Sequence, residues 1–201
     1  MQTPNYQQTL FKDLSVNVQP QTGLLVMGSS GCGKSSLLRA IAGLWNSGTG
    51  AISRPELADM LFLPQKPYMI LGTLKDQLTY PHESSDISHA ELEAILVEVN
   101  LADLAERFGG FEVERDWSEV LSLGEQQRLA FARILINRPR YVILDEATSA
   151  LDIDNEATLY SHLKHLETTF VSVGHRPTLT EYHHKVLRFI DQDNWVVEEV
   201  A

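Results

Sequence analysis

Residues 28–36, Gly28-Ser29-Ser30-Gly31-Cys32-Gly33-Lys34-Ser35-Ser36, fit the pattern G-x-x-x-x-G-K-[ST]. Each residue type has a chemical reason. Glycines let a backbone curl until successive N–H groups face one point, where phosphate oxygens can accept from them. A helix opening at Lys34 adds the positive end of its dipole. Lys34 then offers a mobile point charge to the β- and γ-phosphates of a triphosphate such as ATP, and the Ser35 hydroxyl is a ligand for Mg²⁺. A glycine-rich turn that only caps a strand would share this composition. The apolar run before the loop and the helical spacing after it favour the phosphate loop. Cys32 fills an unspecified position, where a small residue is tolerated. It also lies at a helix start, where thiolates are favoured, so alkylation there is expected to block nucleotide binding.

A second set of groups sits at strand ends. Tyr141-Val142-Ile143-Leu144 delivers Asp145 and Glu146 at its C-terminal end, where ligands sit in parallel sheets. Asp145 matches an acid that holds Mg²⁺ through water, and Glu146 is the candidate base or orienting group for an attacking water. Gln65 follows the strand LFLP. Its neutral amide can touch Mg²⁺ and the water while staying movable, although a loop Gln taken alone is usually just solvated. His175, in FVSVGHRP, could hold the γ-phosphate and orient Glu146; by itself, a His after a strand is more often structural. Glu146, His175 and Gln65 are the candidate catalytic residues. Ser122-Leu123-Gly124-Glu125 reads as a helix start with Ser122 as its cap.

The elements that must position these groups follow from periodicity. LFKDLSVNVQP alternates apolar and polar residues as a half-buried strand does, stopping at Pro20 and Gly23. GLLVMG reads as a buried parallel strand. Leu37, Leu38, Ile41 and Leu44 recur at helical spacing, with Gly43 where a helix would end. MLFLPQKPYM is a strand halted by Pro64. Residues 70–125 are polar with helical runs and no convincing strand, so they are expected to form a helical insertion, with 1–69 and 126–201 as the core. GEQQRLAFARILINRP is helical, with Leu129, Ala132, Leu135 and Ile136 as its apolar stripe and Pro139 as its stop. YVIL and FVSV are buried strands, and KVLRFIDQDNWVVEEV is two strands around a turn at 191–194. Strands alternating with helices predict an α/β fold with a mostly parallel sheet.

Bulk properties bound the function. The 201 residues, 43% hydrophobic and 21% charged, suit a globular chain with a sizeable core. A net charge of -11 argues against nucleic-acid binding, which needs a basic face. One cysteine excludes an internal disulfide and fits a reducing compartment. No apolar run approaches the roughly 18 residues of a membrane span.

Taken in order, GSSGCGKSS, LPQKP, LSLGEQQR, YVILDE, SALD and VGHR resemble the Walker A, Q-loop, signature, Walker B, D-loop and switch-His motifs of ABC-type ATPases. The likeness covers nearly the whole chain. It implies a P-loop NTPase core with a small antiparallel β subdomain and a helical insertion, and the cofactors ATP and Mg²⁺. Ser35, Gln65 and Asp145 would be the metal ligands. In this family the signature serves the partner's nucleotide. Ser122 and Gly124 would contact the γ-phosphate held by the other chain's Lys34 loop, and Asp152 would lie at the seam of a head-to-tail homodimer. The usual signature is L-S-G-G-Q; here Leu123 and Glu125 depart from it, and an acid near a phosphate would repel it unless turned away. An aromatic residue that stacks on adenine is expected upstream, where Tyr6 is a shifted candidate beside Thr3-Pro4.

The family's first strand is missing before Thr3. The expectation is therefore a piece of a longer protein whose preceding segment spans a membrane, with an unpaired strand edge and marginal stability. LPQKPYMILGTLKDQLTYP and DWSEVLSLGEQQRLAFAR look most similar to the branch of peroxisomal acyl-CoA half-transporters and their bacterial relatives. That likeness implies a motor domain at the cytoplasmic face of a membrane. Its partners would be a second nucleotide-binding domain and a transmembrane domain, which would dock on the Pro64–Leu78 surface; nucleic acid is not among them. The alternatives are a nucleotide-gated clamp outside transport, which tends to carry a long coiled-coil insertion, and a small-molecule kinase, which LSLGEQQR and SALD do not fit.

Overall fold

The structure, a computed structural model, describes residues 1, 9–45, 47–82, 86–191 and 194–200. The chain forms two compact units, one of residues 1–62, 140–146 and 167–201, the other of 63–139 and 147–166. The fold is α/β, with a mostly parallel sheet, a small antiparallel ribbon and helices. Elements are numbered along the whole chain.

The first unit is built on β1 (Gly23–Met27), α1 (Lys34–Ile41), β2 (Met60–Leu63), β5 (Tyr141–Asp145), β6 (Thr169–Val173), β7 (Lys185–Phe189) and β8 (Trp195–Glu199). The sheet runs β2-β5-β6-β1-β7-β8. β1 lies between β6 and β7, parallel to both, with Leu25 opposite Ser172 on one side and Val186 on the other. All of its residues are buried, which is why GLLVM is an unbroken apolar run rather than an alternation. α1 packs Leu37 and Leu38 into the core formed by Leu24, Val26, Ile143, Val173 and Phe189. Burying a leucine such as Leu38 contributes about 2 kcal/mol. β8 turns back antiparallel to β7. Between the two strands, Asn194 N donates to Asp191 Oδ1 at 2.8 Å. Exposed Glu198 and Glu199 blunt the outer edge.

Two expectations fail in this unit. Residues 10–20 form no strand, although Leu14, Val16 and Val18 do pack alternately against the core. Side-chain alternation reports burial, whereas a strand also needs a hydrogen-bonded neighbour. Leu44 does not continue the α1 stripe: it lies beyond Gly43, which has φ +77°, and is 74% exposed.

The second unit holds β3 (Gly72–Thr73), α2 (Leu74–Thr79), α3 (His89–Glu98), α4 (Leu104–Phe108), β4 (Glu114–Arg115), α5 (Trp117–Val120), α6 (Leu123–Asn137) and α7 (Ile153–His165). The 70–125 stretch carries α2 to α5 but is not free of strands, because β3 and β4 pair antiparallel. Two residues each are too few to show a period. The buried Trp117 indole secures this ribbon by donating to Gly72 O at 2.9 Å.

α6 starts at a capping box and ends where Arg138 turns left-handed (φ +43°) before Pro139. From its buried face, Arg133 donates Nε to Gln77 O at 2.7 Å and Nη1 to Tyr68 O at 2.9 Å. Burial pulls this guanidinium down to about 10, still charged at neutral pH. Among the described residues no helix is long and apolar enough to cross a membrane.

Candidate functional site

In the first unit, the loop between β1 and α1 curls at glycines with φ of +153° (Gly28), +81° (Gly31) and +102° (Gly33). Gly28 is required twice over, since a Cβ there would come within 2.9 Å of both Cys32 Sγ and Phe189 Cβ. The chain then enters α1 at Lys34. Lys34 is 5% exposed, and its ammonium donates to Gly28 O (2.9 Å) and Ser29 O (2.8 Å), folding back over the loop. Ser29, Ser30 and Gly31 are exposed, Ser35 and Ser36 half-buried. Cys32 points the other way, into the core with Leu10, Phe11 and Phe189. Its thiol is thereby buried in the folded chain.

β5 brings its C-terminal acids to the same loop. Ser35 Oγ donates to Asp145 Oδ1 at 2.8 Å. Asp145 is 8% exposed. Burial pushes its carboxyl up, the Ser35 hydrogen bond opposes this, and the neighbouring Glu146 pushes it further. A hydroxyl and a carboxylate held together are hard oxygen donors, and a buried acid in want of positive charge suits a divalent cation. Among the described residues no cluster of three or more His, Cys, Asp or Glu could hold a metal alone. The donor set fits Mg²⁺ bound through one or two protein oxygens and completed by phosphate.

Glu146 follows in a left-handed conformation (φ +51°), its N–H donating to Val173 O at 3.2 Å. That turn carries the side chain to His175, whose Nε2–H donates to Glu146 Oε1 at 2.9 Å. Lys34, Ser35, Asp145, Glu146 and His175 are thus gathered in one unit at the C-terminal ends of β1, β5 and β6.

The remaining predicted residues belong to the second unit. Gln65 is exposed, and its carbonyl accepts from Gln127 Nε2 at 2.8 Å. Ser122 is the exposed cap of α6, and Gly124 packs against Ala150 O, which an added Cβ would meet at 3.3 Å. Asp152 caps α7 by accepting from Asn155 N (2.8 Å) and Asn155 Nδ2 (2.7 Å), and these bonds hold its carboxyl below the usual range. Glu125 folds back onto Ser122 at the helix start, its carboxylate accepting from Ser122 N at 2.8 Å. Tyr6 lies outside the described residues.

Gln127 escaped the sequence reading. Buried on α6, its Nε2 donates to Gln65 O and to Ser149 Oγ (3.3 Å), and its Oε1 accepts from Ala150 N at 3.0 Å. A glutamine on the apolar side of a helix was the available signal. Arg107, which binds Glu125, carried no signal, since α4 is short and polar.

Comparison with known proteins bears on this geometry. A family model described as ABC transporter matches residues 11–149. An uncharacterised ABC transporter ATP-binding protein of Synechocystis is 60% identical over 98% of this chain and 30% of its own length. ABC transporter D family member 2, chloroplastic, of Arabidopsis thaliana is 41% identical over 100% of this chain and 36% of its own. A solved bacterial Atm1-family ABC exporter with ATP bound superposes with a TM-score of 0.79 at 25% identity, over 92% of this chain and 35% of that one. The chain spans about a third of the length of the curated relatives it matches.

Proposed function

The chain belongs to the ABC transporter family, and from that premise we propose that it is an ATP-hydrolysing motor domain that works in pairs. The observation that carries the reading is the convergence of Lys34, Ser35 and Asp145 on one loop, with the Glu146–His175 pair beside it.

In this reading the Lys34 ammonium exchanges its carbonyl partners for the β- and γ-phosphate oxygens, and the loop glycines let backbone amides approach them. Ser35 and Asp145 hold Mg²⁺, which neutralises phosphate charge when bound. Glu146 orients or deprotonates the attacking water, and His175 fixes the carboxylate. Gln65 reports on the metal and water. Ser122 and Gly124 of one chain complete the phosphate site of its partner, with Asp152 at the seam. The helical portion 70–125 and the Pro64–Leu78 surface, where Tyr68 and Leu71 are exposed, receive a transmembrane domain at the cytoplasmic face of a membrane. Substrate translocation is then driven by closure on two Mg-ATP and by release after hydrolysis.

Glu146→Gln tests this reading. Without the base, Mg-ATP should still bind and a dimer should accumulate in sedimentation. A chain that stays monomeric at saturating Mg-ATP would contradict the paired motor.

A further inference from the structure

The Ser122 corner already holds an anion. Glu125 Oε2 accepts from Ser122 N and from the Ser122 hydroxyl, both at 2.8 Å, while Glu125 N donates back to Ser122 Oγ at 3.3 Å. The corner's hydroxyl and first amide are therefore spent on the chain's own carboxylate. The other oxygen, Oε1, is bound by the Arg107 guanidinium of α4. Arg107 also reaches Asp103 Oδ2 at 3.5 Å and lies over the Phe108 ring, 5.0 Å from its centroid. The similar boxes at the starts of α2 (Thr73, Asp76) and α3 (Ser88, Glu91) have no arginine on their acid among the described residues. Among the described residues, only the capping acid of α6 is held from both sides. Burial pushes the Glu125 carboxyl up, but the Ser122 hydroxyl and Arg107 outweigh it and keep it below the ordinary range, so it is charged at neutral pH.

We propose that Glu125 is an internal stand-in for the partner's γ-phosphate, filling the Ser122 corner until an incoming nucleotide displaces it. The proposal rests on the paired-motor reading above. Two anions cannot share one pair of donors, and in a partly buried corner like charges repel strongly. Glu125 must swing off Ser122 for the site to close. Arg107 keeps hold of Oε1 while Oε2 lets go, so the carboxylate leaves toward a fixed cation rather than into the phosphate. Glu125 and Arg107 are positioning residues: they set how much ATP-loaded partner is needed before two chains close.

Glu125→Gln keeps the side-chain length and the capping box and removes only the charge. The experiment follows dimer formation of the 201-residue chain carrying Glu146→Gln by sedimentation over a protein concentration series with Mg-ATP. Adding Glu125→Gln should lower the midpoint about fivefold or more, the scale of one charge-assisted hydrogen bond, with ATP affinity below the dimerisation range unchanged. Arg107→Gln strips the exposed holder and leaves the acid, so it should raise the midpoint. A residue that only caps a helix predicts no gain from Gln, and a midpoint unmoved in both variants overturns the proposal. If Glu146→Gln alone gives no dimer, the paired reading falls and takes this proposal with it. A dimer whose midpoint ignores Glu125 and Arg107 sinks the proposal alone.

Discussion

Ser35 Oγ and Asp145 Oδ1 stand 2.8 Å apart across 110 residues of sequence, joining the first turn of α1 to the last residue of β5. The bond offsets part of an electrostatic cost. Asp145 is buried beside Glu146, and its carboxyl is raised despite Ser35, Arg39 and Lys34. For an acid raised on folding, the folded state binds the proton more tightly than the unfolded chain. Without metal, the contribution of Asp145 to stability is therefore greatest below the ordinary aspartate range and falls as pH rises through the interval up to the raised value. Asp145→Asn should flatten that slope in melts with chelator run upward in pH from the ordinary aspartate range, while abolishing the stabilisation that Mg-ATP gives the native chain.

His175→Ala leaves Glu146 without its Nε2–H partner but does not touch the Lys34 loop. Hydrolysis should fall by about 10²-fold or more, in the range for misplacing a general base. ATP binding measured by calorimetry should move little. Comparable losses in both would place His175 in nucleotide binding rather than water orientation.

Buried among Leu10, Phe11 and Phe189, the Cys32 thiol is accessible only when the chain opens. Its alkylation should track unfolding, with rates that rise in denaturant. Mg-ATP should slow it only as far as it stabilises the fold. Rapid stoichiometric labelling of the native chain by N-ethylmaleimide would show the packing to be otherwise.

Gln127→Leu fits the volume but gives up the hydrogen bonds to Gln65 O and Ala150 N. Both belong to exposed residues, so each lost bond costs about 0.5–1.5 kcal/mol. Chemical denaturation should show that loss, and proteolysis should cut the 64–72 segment sooner than in the parent.

Much of the sheet was legible because buried parallel strands are continuous apolar runs. GLLVM, YVIL and FVSV each became a strand, and KVLRF and WVVEE supplied two more. The Lys34–Ser35 and Asp145–Glu146 groups could be placed because a strand end fixes where its next residue points. Three features were hidden for physical reasons. Residues 10–20 alternate without a ladder, because alternation records which side chains face the core and not what the amides bind. β3 and β4 are shorter than one period. α7 was unassigned: its buried Leu159, Tyr160 and Leu163 are scattered through a polar sequence, and its cap, Asp152, was read only as a residue of a protein–protein seam. In sequence Glu125 is a charge out of place; in the structure its carboxylate closes the box at Ser122. Partners in space cannot be inferred from a side chain's charge alone.

Glutamate is poorly suited to the backbone it occupies at position 146, where φ is +51°. Side chains with a Cβ pay about 1–2 kcal/mol to sit there, and glycine would not. The most economical sequence for folding would thus delete the very carboxylate that meets His175. Variants selected for thermal endurance alone should drift toward glycine at this corner and emerge sturdier but inert.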